Sequence, residues 1–131
     1  AAAGRRARRA AALLGLTMIT GAARADAAHD EKMRHLAAVS GCLACHSVES
    51  GKSGPDGLAP IGPPWQDVAQ RYAGQKDAAT KLTRTVLQGN NPYESHWKDK
   101  VSGIAMPPNK VAISPADARR LVDWILALHK H

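Results

Sequence analysis

Cys42-Leu43-Ala44-Cys45-His46 places two thiols and an imidazole within five residues. The spacing C-x-x-C-H is the attachment pattern of a c-type haem. Two thiols one helical turn apart can add to the two vinyl groups of one porphyrin. The next residue then sets an imidazole over one face of the iron. The chain has two cysteines in all, so one haem accounts for both.

Three other chemistries share part of this pattern. A thioredoxin-type dithiol expects a surrounding βαβ pattern, and none is visible. A zinc site needs four ligands at suitable spacing, yet there is no second C-x-x-C and no H-x-x-x-H pair. A disulfide across two residues closes a ring of small entropic benefit. Haem attachment is the reading that uses all five positions.

One histidine leaves an axial position of the iron to be filled or left open. Of three methionines, Met18 lies in the leader, and Met33 falls on the apolar face of a helix and reads as core. Met106 stands in Ala105-Met106-Pro107-Pro108-Asn109, a proline-stiffened loop where helix packing does not explain it. As an axial thioether it would favour ferrous iron and raise the reduction potential. His96 is the alternative ligand, but Lys98 and Asp99 beside it suggest exposure to solvent.

Four helices separated by long loops would position these groups. Met33, Leu36 and Ala37 give an apolar face to a helix over residues 30–40, ended by Gly41. A short helix over 65–72 follows a proline-rich entry, with Val68 and Tyr72 on one face. A third spans 77–88, with Leu82 and Val86 four apart and Gly89 as its stop. The last starts at Ser114 as N-cap, with Pro115 at the first helical position. Leu121, Trp124, Ile125 and Leu128 line its apolar face, and Lys130 and the terminal histidines suit its negative end. Residues 51–64 hold four Gly and four Pro, which excludes a helix or a central strand. Residues 90–108 form a second long loop. No strand alternation and no repeat is visible, so the expected class is all-α.

The N-terminal segment reads as a separate unit. Arg5, Arg6, Arg8 and Arg9 form a basic region, residues 10–23 are small and apolar, and Ala23-Arg24-Ala25 is a cleavage-type A-x-A. The apolar run is shorter than the ~20 residues a spanning helix requires. Residues 1–25 are therefore expected to be a cleaved signal peptide directing export to the periplasm, with 26–131 as one monohaem domain. The leader holds five of the 18 basic residues and none of the 11 acidic ones, so the remainder is nearly balanced in charge. The basic balance of the whole chain is thus no argument for nucleic-acid binding, which needs a basic stripe in the folded part. The domain has no Phe; a buried porphyrin would supply apolar mass that a small core lacks.

The order of five segments resembles the short bacterial class I cytochromes c of the c-551 type. These are Gly41-Cys42-Leu43-Ala44-Cys45-His46, Ile61-Gly62-Pro63-Pro64-Trp65-Gln66-Asp67-Val68, Gln88-Gly89, Met106-Pro107-Pro108-Asn109 and Trp124-Ile125-Leu126. The resemblance implies a small fold of about four helices and long loops wrapped around one haem c, covalent through Cys42 and Cys45. It implies His46 and Met106 as the iron ligands and a Pro63 carbonyl that accepts a hydrogen bond from His46. Asn109 matches a polar residue near the Met sulfur. Gly41 and Trp124 match a contact in which a glycine lets an aromatic ring approach. Trp97 resembles the family tryptophan that reaches a haem propionate, though it stands nine residues before Met106, with a longer loop between. Arg84 is a second candidate for a propionate.

With both axial positions filled by protein, one-electron transfer is the expected use, rather than an enzyme's chemistry on a bound substrate. The partners would be a redox protein donor and acceptor, with no nucleic acid and no small-molecule substrate. A dehydrogenase or a terminal oxidase or reductase would suit, and membrane contact would come only through them. Lys52, Lys98, Lys100 and Lys110 in the loops could steer an acidic partner. Two alternatives remain: a haem subunit tightly bound to a dehydrogenase or reductase, and an open-iron enzyme or sensor.

Overall fold

The computed structural model describes residues 11–128. They hold four α-helices: α1 Ala11–Val39, α2 Trp65–Arg71, α3 Ala78–Gln88 and α4 Pro115–Leu126. Three 3-10 turns lie at Cys42–Ala44, Pro55–Gly57 and Pro92–Glu94, and no strand occurs among the described residues. The all-α expectation holds. The chain divides into two compact units, Ala1–Arg34 and His35–His131. No helix among the described residues is long and apolar enough to cross a membrane.

The first helix starts much earlier than the expected residue 30. Its added length is the Ala- and Leu-rich apolar run, whose residues have high helix propensity. Met33 and Ala37 are buried, as a core face requires. Gly41 adopts φ 79°, a left-handed conformation that stops the helix just ahead of the cysteines.

The other three helices follow their local signals. Pro64 caps α2, and the ring of Trp65 at its first position is buried. Gly89 ends α3 at φ 80° and ψ 177°, backbone angles open essentially to glycine alone. Ser114 Oγ accepts the Asp117 N–H at 3.1 Å, satisfying one orphan donor at the start of α4. The segment after Leu128, with Lys130 and the terminal histidines, lies outside the described residues.

In the second unit α4 packs on both α2 and α3. Leu121, Val122, Trp124 and Ile125 supply its buried face, and Val68 and Ala69 supply that of α2. Trp124 and Trp65 meet edge to face at a centroid distance of 6.0 Å and 86°, an arrangement favoured by the ring quadrupoles. The approach of Gly41 to Trp124 expected from the resemblance is not what fixes the glycine. A Cβ there would meet nothing within 4 Å; Gly41 is required by its positive φ.

Candidate functional site

The loop after His46 is laced to the loop before α2. The Gly62 N–H donates to the Cys45 carbonyl at 2.8 Å, the Trp65 N–H to Ser47 at 2.9 Å and the Gln66 N–H to Val48 at 3.1 Å. This ladder brings Pro63 over His46, and His46 Nδ1 lies 2.8 Å from the Pro63 carbonyl oxygen. A carbonyl can only accept, so Nδ1 carries the proton. In the neutral ring Nε2 then keeps its lone pair. Burial pulls the pKa of His46 down, opposed by the hydrogen bond to Pro63. The imidazole is thereby held in the neutral form that a metal ligand requires.

Gly62 completes the seat of this ring. A Cβ on Gly62 would fall 2.7 Å from His46 Cε1, so only glycine lets the ring lie against the backbone. Trp65 also stacks on His46, with centroids 5.6 Å apart and planes 23° apart. The imidazole is thus fixed by a carbonyl, a bare glycine and a buried indole.

His46 borders a cavity that Cys42, Cys45, Pro63, Trp97 and Met106 also line. Val68 from α2, Leu82 and Val86 from α3, and Leu121 and Ile125 from α4 give it apolar walls. Burial raises the pKa of the Cys42 thiol, a backbone hydrogen bond opposes this, and Cys45 raises it further. Cys45 itself is exposed at the rim.

The Met106 loop is tied to the end of α3. The Met106 N–H donates to Asn90 Oδ1 at 2.6 Å, and the Asn90 N–H donates to the Met106 carbonyl at 3.2 Å. The Asn109 N–H donates to the Val86 carbonyl at 3.0 Å. A Cβ on Gly89 would sit 2.8 Å from the Met106 oxygen, so this approach also needs a glycine.

Of the residues expected from the sequence, Cys42, Cys45, His46, Pro63, Trp97 and Met106 meet around this one cavity. Asn109 does not line it; its Nδ2 donates to the Pro107 carbonyl at 2.8 Å and braces the loop. Arg84 is exposed on α3 and lines no part of it. His96 is exposed as expected, with its ring edge toward Tyr72 at 6.4 Å. Gly62, Trp65 and Asn90 were not singled out by sequence reasoning. Gly62 and Trp65 flank Pro63 in a quoted segment, and Asn90 follows the Gly89 stop; these adjacencies were the available signals.

The donor set suits a covalently bound haem: two thiols, a neutral imidazole, a thioether and apolar walls around one cavity. Known proteins agree. The profile of the cytochrome c family matches residues 21–129. Cytochrome c-552 of Nitrosomonas europaea is 39% identical over 111 residues, covering 85% of each chain. Cytochrome c-551 of Pseudomonas aeruginosa is 33% identical over 116 residues, 88% of this chain and 94% of the relative. The crystal structure of wild-type Nitrosomonas europaea cytochrome c552 superposes with a TM-score of 0.55 at 38% identity, covering 72% of this chain and 96% of that one. The family's cofactor is haem c and its role is electron transfer. The chain belongs to the cytochrome c family, as a small class I member of the c-551 type.

Proposed function

We propose that this chain is a one-electron carrier with a single haem c, attached by thioethers from Cys42 and Cys45 and ligated by His46 and Met106. The observation that carries the ligand set is the 2.8 Å contact between His46 Nδ1 and the Pro63 carbonyl. It directs the Nε2 lone pair to metal binding, beside a cavity that Met106 also lines.

When bound, the haem supplies the ferric–ferrous couple. The protein's own groups hold that couple closed and rigid. Pro63 fixes the imidazole and strengthens it as a donor. Met106, which lines the same cavity, would hold the iron through a soft sulfur, a donor that favours the ferrous state. The apolar walls exclude water. With His46 and Met106 both holding the iron, a substrate would have to displace one of them to reach it.

Electrons would pass through the rim at Cys45 to redox protein partners. Lys98, Lys100 and Lys110 are exposed and offer positive charge for an acidic partner surface, whereas Lys52, also exposed, pairs with Glu49 at 3.1 Å. The basic, apolar and A-x-A character of residues 1–25 supports export to the periplasm. Thioether capping would also suit a C-x-x-C motif outside the cytoplasm.

Mass measurement under denaturing conditions tests the attachment. The matured chain should carry one haem that acidified acetone cannot extract. Cys42→Ala should leave a single thioether. Complete extraction from the unaltered protein would contradict the proposal, as would recovery in the cytoplasmic fraction for its localisation.

A further inference from the structure

Asn90 is the first residue beyond the Gly89 stop, and it closes a two-bond ring with Met106. Its side-chain Oδ1 accepts the Met106 N–H at 2.6 Å, while its own N–H donates to the Met106 carbonyl at 3.2 Å. Both polar groups of the Met106 main chain are thereby taken by one residue. Asn90 also lines the cavity.

Upstream, the Ser102 and Gly103 N–H groups tie the Met106 loop to the Pro60 and Ile61 carbonyls at 2.9 and 3.0 Å, but its contact with α3 has fewer anchors. Met106 is followed by Pro107 and Pro108, neither of which has an N–H. The residues flanking it, Ala105 and Pro107, are exposed. Gly89 keeps the Met106 carbonyl close by having no Cβ. Register of this loop on α3 therefore rests on Asn90 and on the Asn109 N–H bond to Val86 at 3.0 Å.

We infer that Asn90 is a positioning residue that locks Met106 in place as an iron ligand and so sets how often the iron opens. This rests on Met106 being the axial ligand. The backbone half of the ring survives any substitution, so the side-chain Oδ1 is the group under test. Removing Oδ1 leaves the Met106 N–H unpaired in a half-buried setting. The thioether then dissociates more often, and an external ligand gains access. Asp at position 90 keeps an acceptor in the same place.

The test is carbon monoxide binding by the reduced holoprotein, read with the sulfur-to-iron band of the ferric form. Asn90→Ala should speed carbon monoxide binding by about three- to tenfold, the equivalent of one lost hydrogen bond. The band should weaken in parallel, and Asn90→Asp should restore both. Ser114→Ala, which removes the N-cap of α4 away from the cavity, should lower stability without changing either reading. Unchanged binding and band in Asn90→Ala would overturn the inference. So would equal acceleration in Ser114→Ala, because general loosening would then explain it. If Met106→Ala leaves the iron closed, the ligand assignment itself fails; if it opens the iron while Asn90→Ala does not, only the role of Asn90 fails. Should Asn90→Ala not mature, hydrogen exchange of the Met106 amide in the unaltered protein decides. Slow exchange is expected, and exchange as fast as an unprotected amide would overturn the inference.

Discussion

The indole of Trp65 stacks on the imidazole of His46, with centroids 5.6 Å apart and planes inclined by 23°. The same indole meets Trp124 in an edge-to-face contact at 6.0 Å. The histidine beside the cysteines is thus braced through α2 to the core face of α4. The ring bordering the cavity is set by helix packing as well as by its own loop.

Trp65→Ala should therefore be costly. Trp65 is 4% exposed, and truncating a buried aromatic costs about 3–5 kcal/mol. Denaturant unfolding of the holoprotein should show that loss, and Trp65→Phe should recover much of it. A loss under about 1 kcal/mol would mean that neighbouring side chains close the gap.

Gly62→Ala should move His46. The added Cβ would lie 2.7 Å from Cε1, 2.9 Å from Nδ1 and 3.0 Å from Nε2, so the ring or the backbone must shift. Overpacking of this kind costs about 1–3 kcal/mol. If His46 holds the iron as proposed, the nitrogen-to-iron geometry should change with it, visible as altered proton shifts of the His46 ring. An unaltered histidine spectrum would show that the backbone, rather than the ring, gives way.

Gly89→Ala should disturb the opposite side of the cavity. Its φ of 80° and ψ of 177° strain any other residue, by about 1–3 kcal/mol. The new Cβ would also press on the Met106 carbonyl at 2.8 Å. A weaker sulfur-to-iron band is expected alongside lower stability. Lower stability with an unchanged band would separate the strain of α3 from the seating of Met106.

Much of this site was legible because its chemistry is local. Cys42, Cys45 and His46 announce themselves by spacing, and Met106 by standing among prolines where packing cannot account for it. Ser114, Pro115, Gly41 and Gly89 mark helix ends by conformational preferences that need no partner. Gly62, Trp65 and Asn90 were less accessible because their roles are contacts across 16 to 19 residues. A bare glycine reveals itself only when the ring opposite is in place. The expected approach of Gly41 to Trp124 came from resemblance, and the positive φ of Gly41 replaces it. The sequence predicts a shorter first helix than Ala11–Val39 because the Ala- and Leu-rich run ahead of residue 30 reads equally as an export signal.

Stability should fall on mild acidification. Burial holds His46 below its ordinary value of 6.5. Between the two values the unfolded chain binds the proton and the folded one does not, so stability rises with pH there. The contribution is fully present above the unfolded value and is lost as pH falls through the folded one. The proposed iron ligation would also need the neutral ring, so the loaded protein is expected to follow the same sign. Denaturation midpoints should drop between pH 7.5 and about pH 5. A flat profile over that span would contradict the burial of His46. Asp77 is held below its ordinary 3.8 by its hydrogen bond to Lys81, so its loss belongs to a more acidic window, and Asp77→Asn should leave the first transition intact.

The closed iron between His46 and Met106 is tested most directly by the far-red absorption of the ferric holoprotein. The unaltered protein should show the weak sulfur-to-iron band, and Met106→Ala should abolish it. An unaltered protein without the band, or a Met106→Ala variant that keeps it, would contradict Met106 as the iron's second ligand.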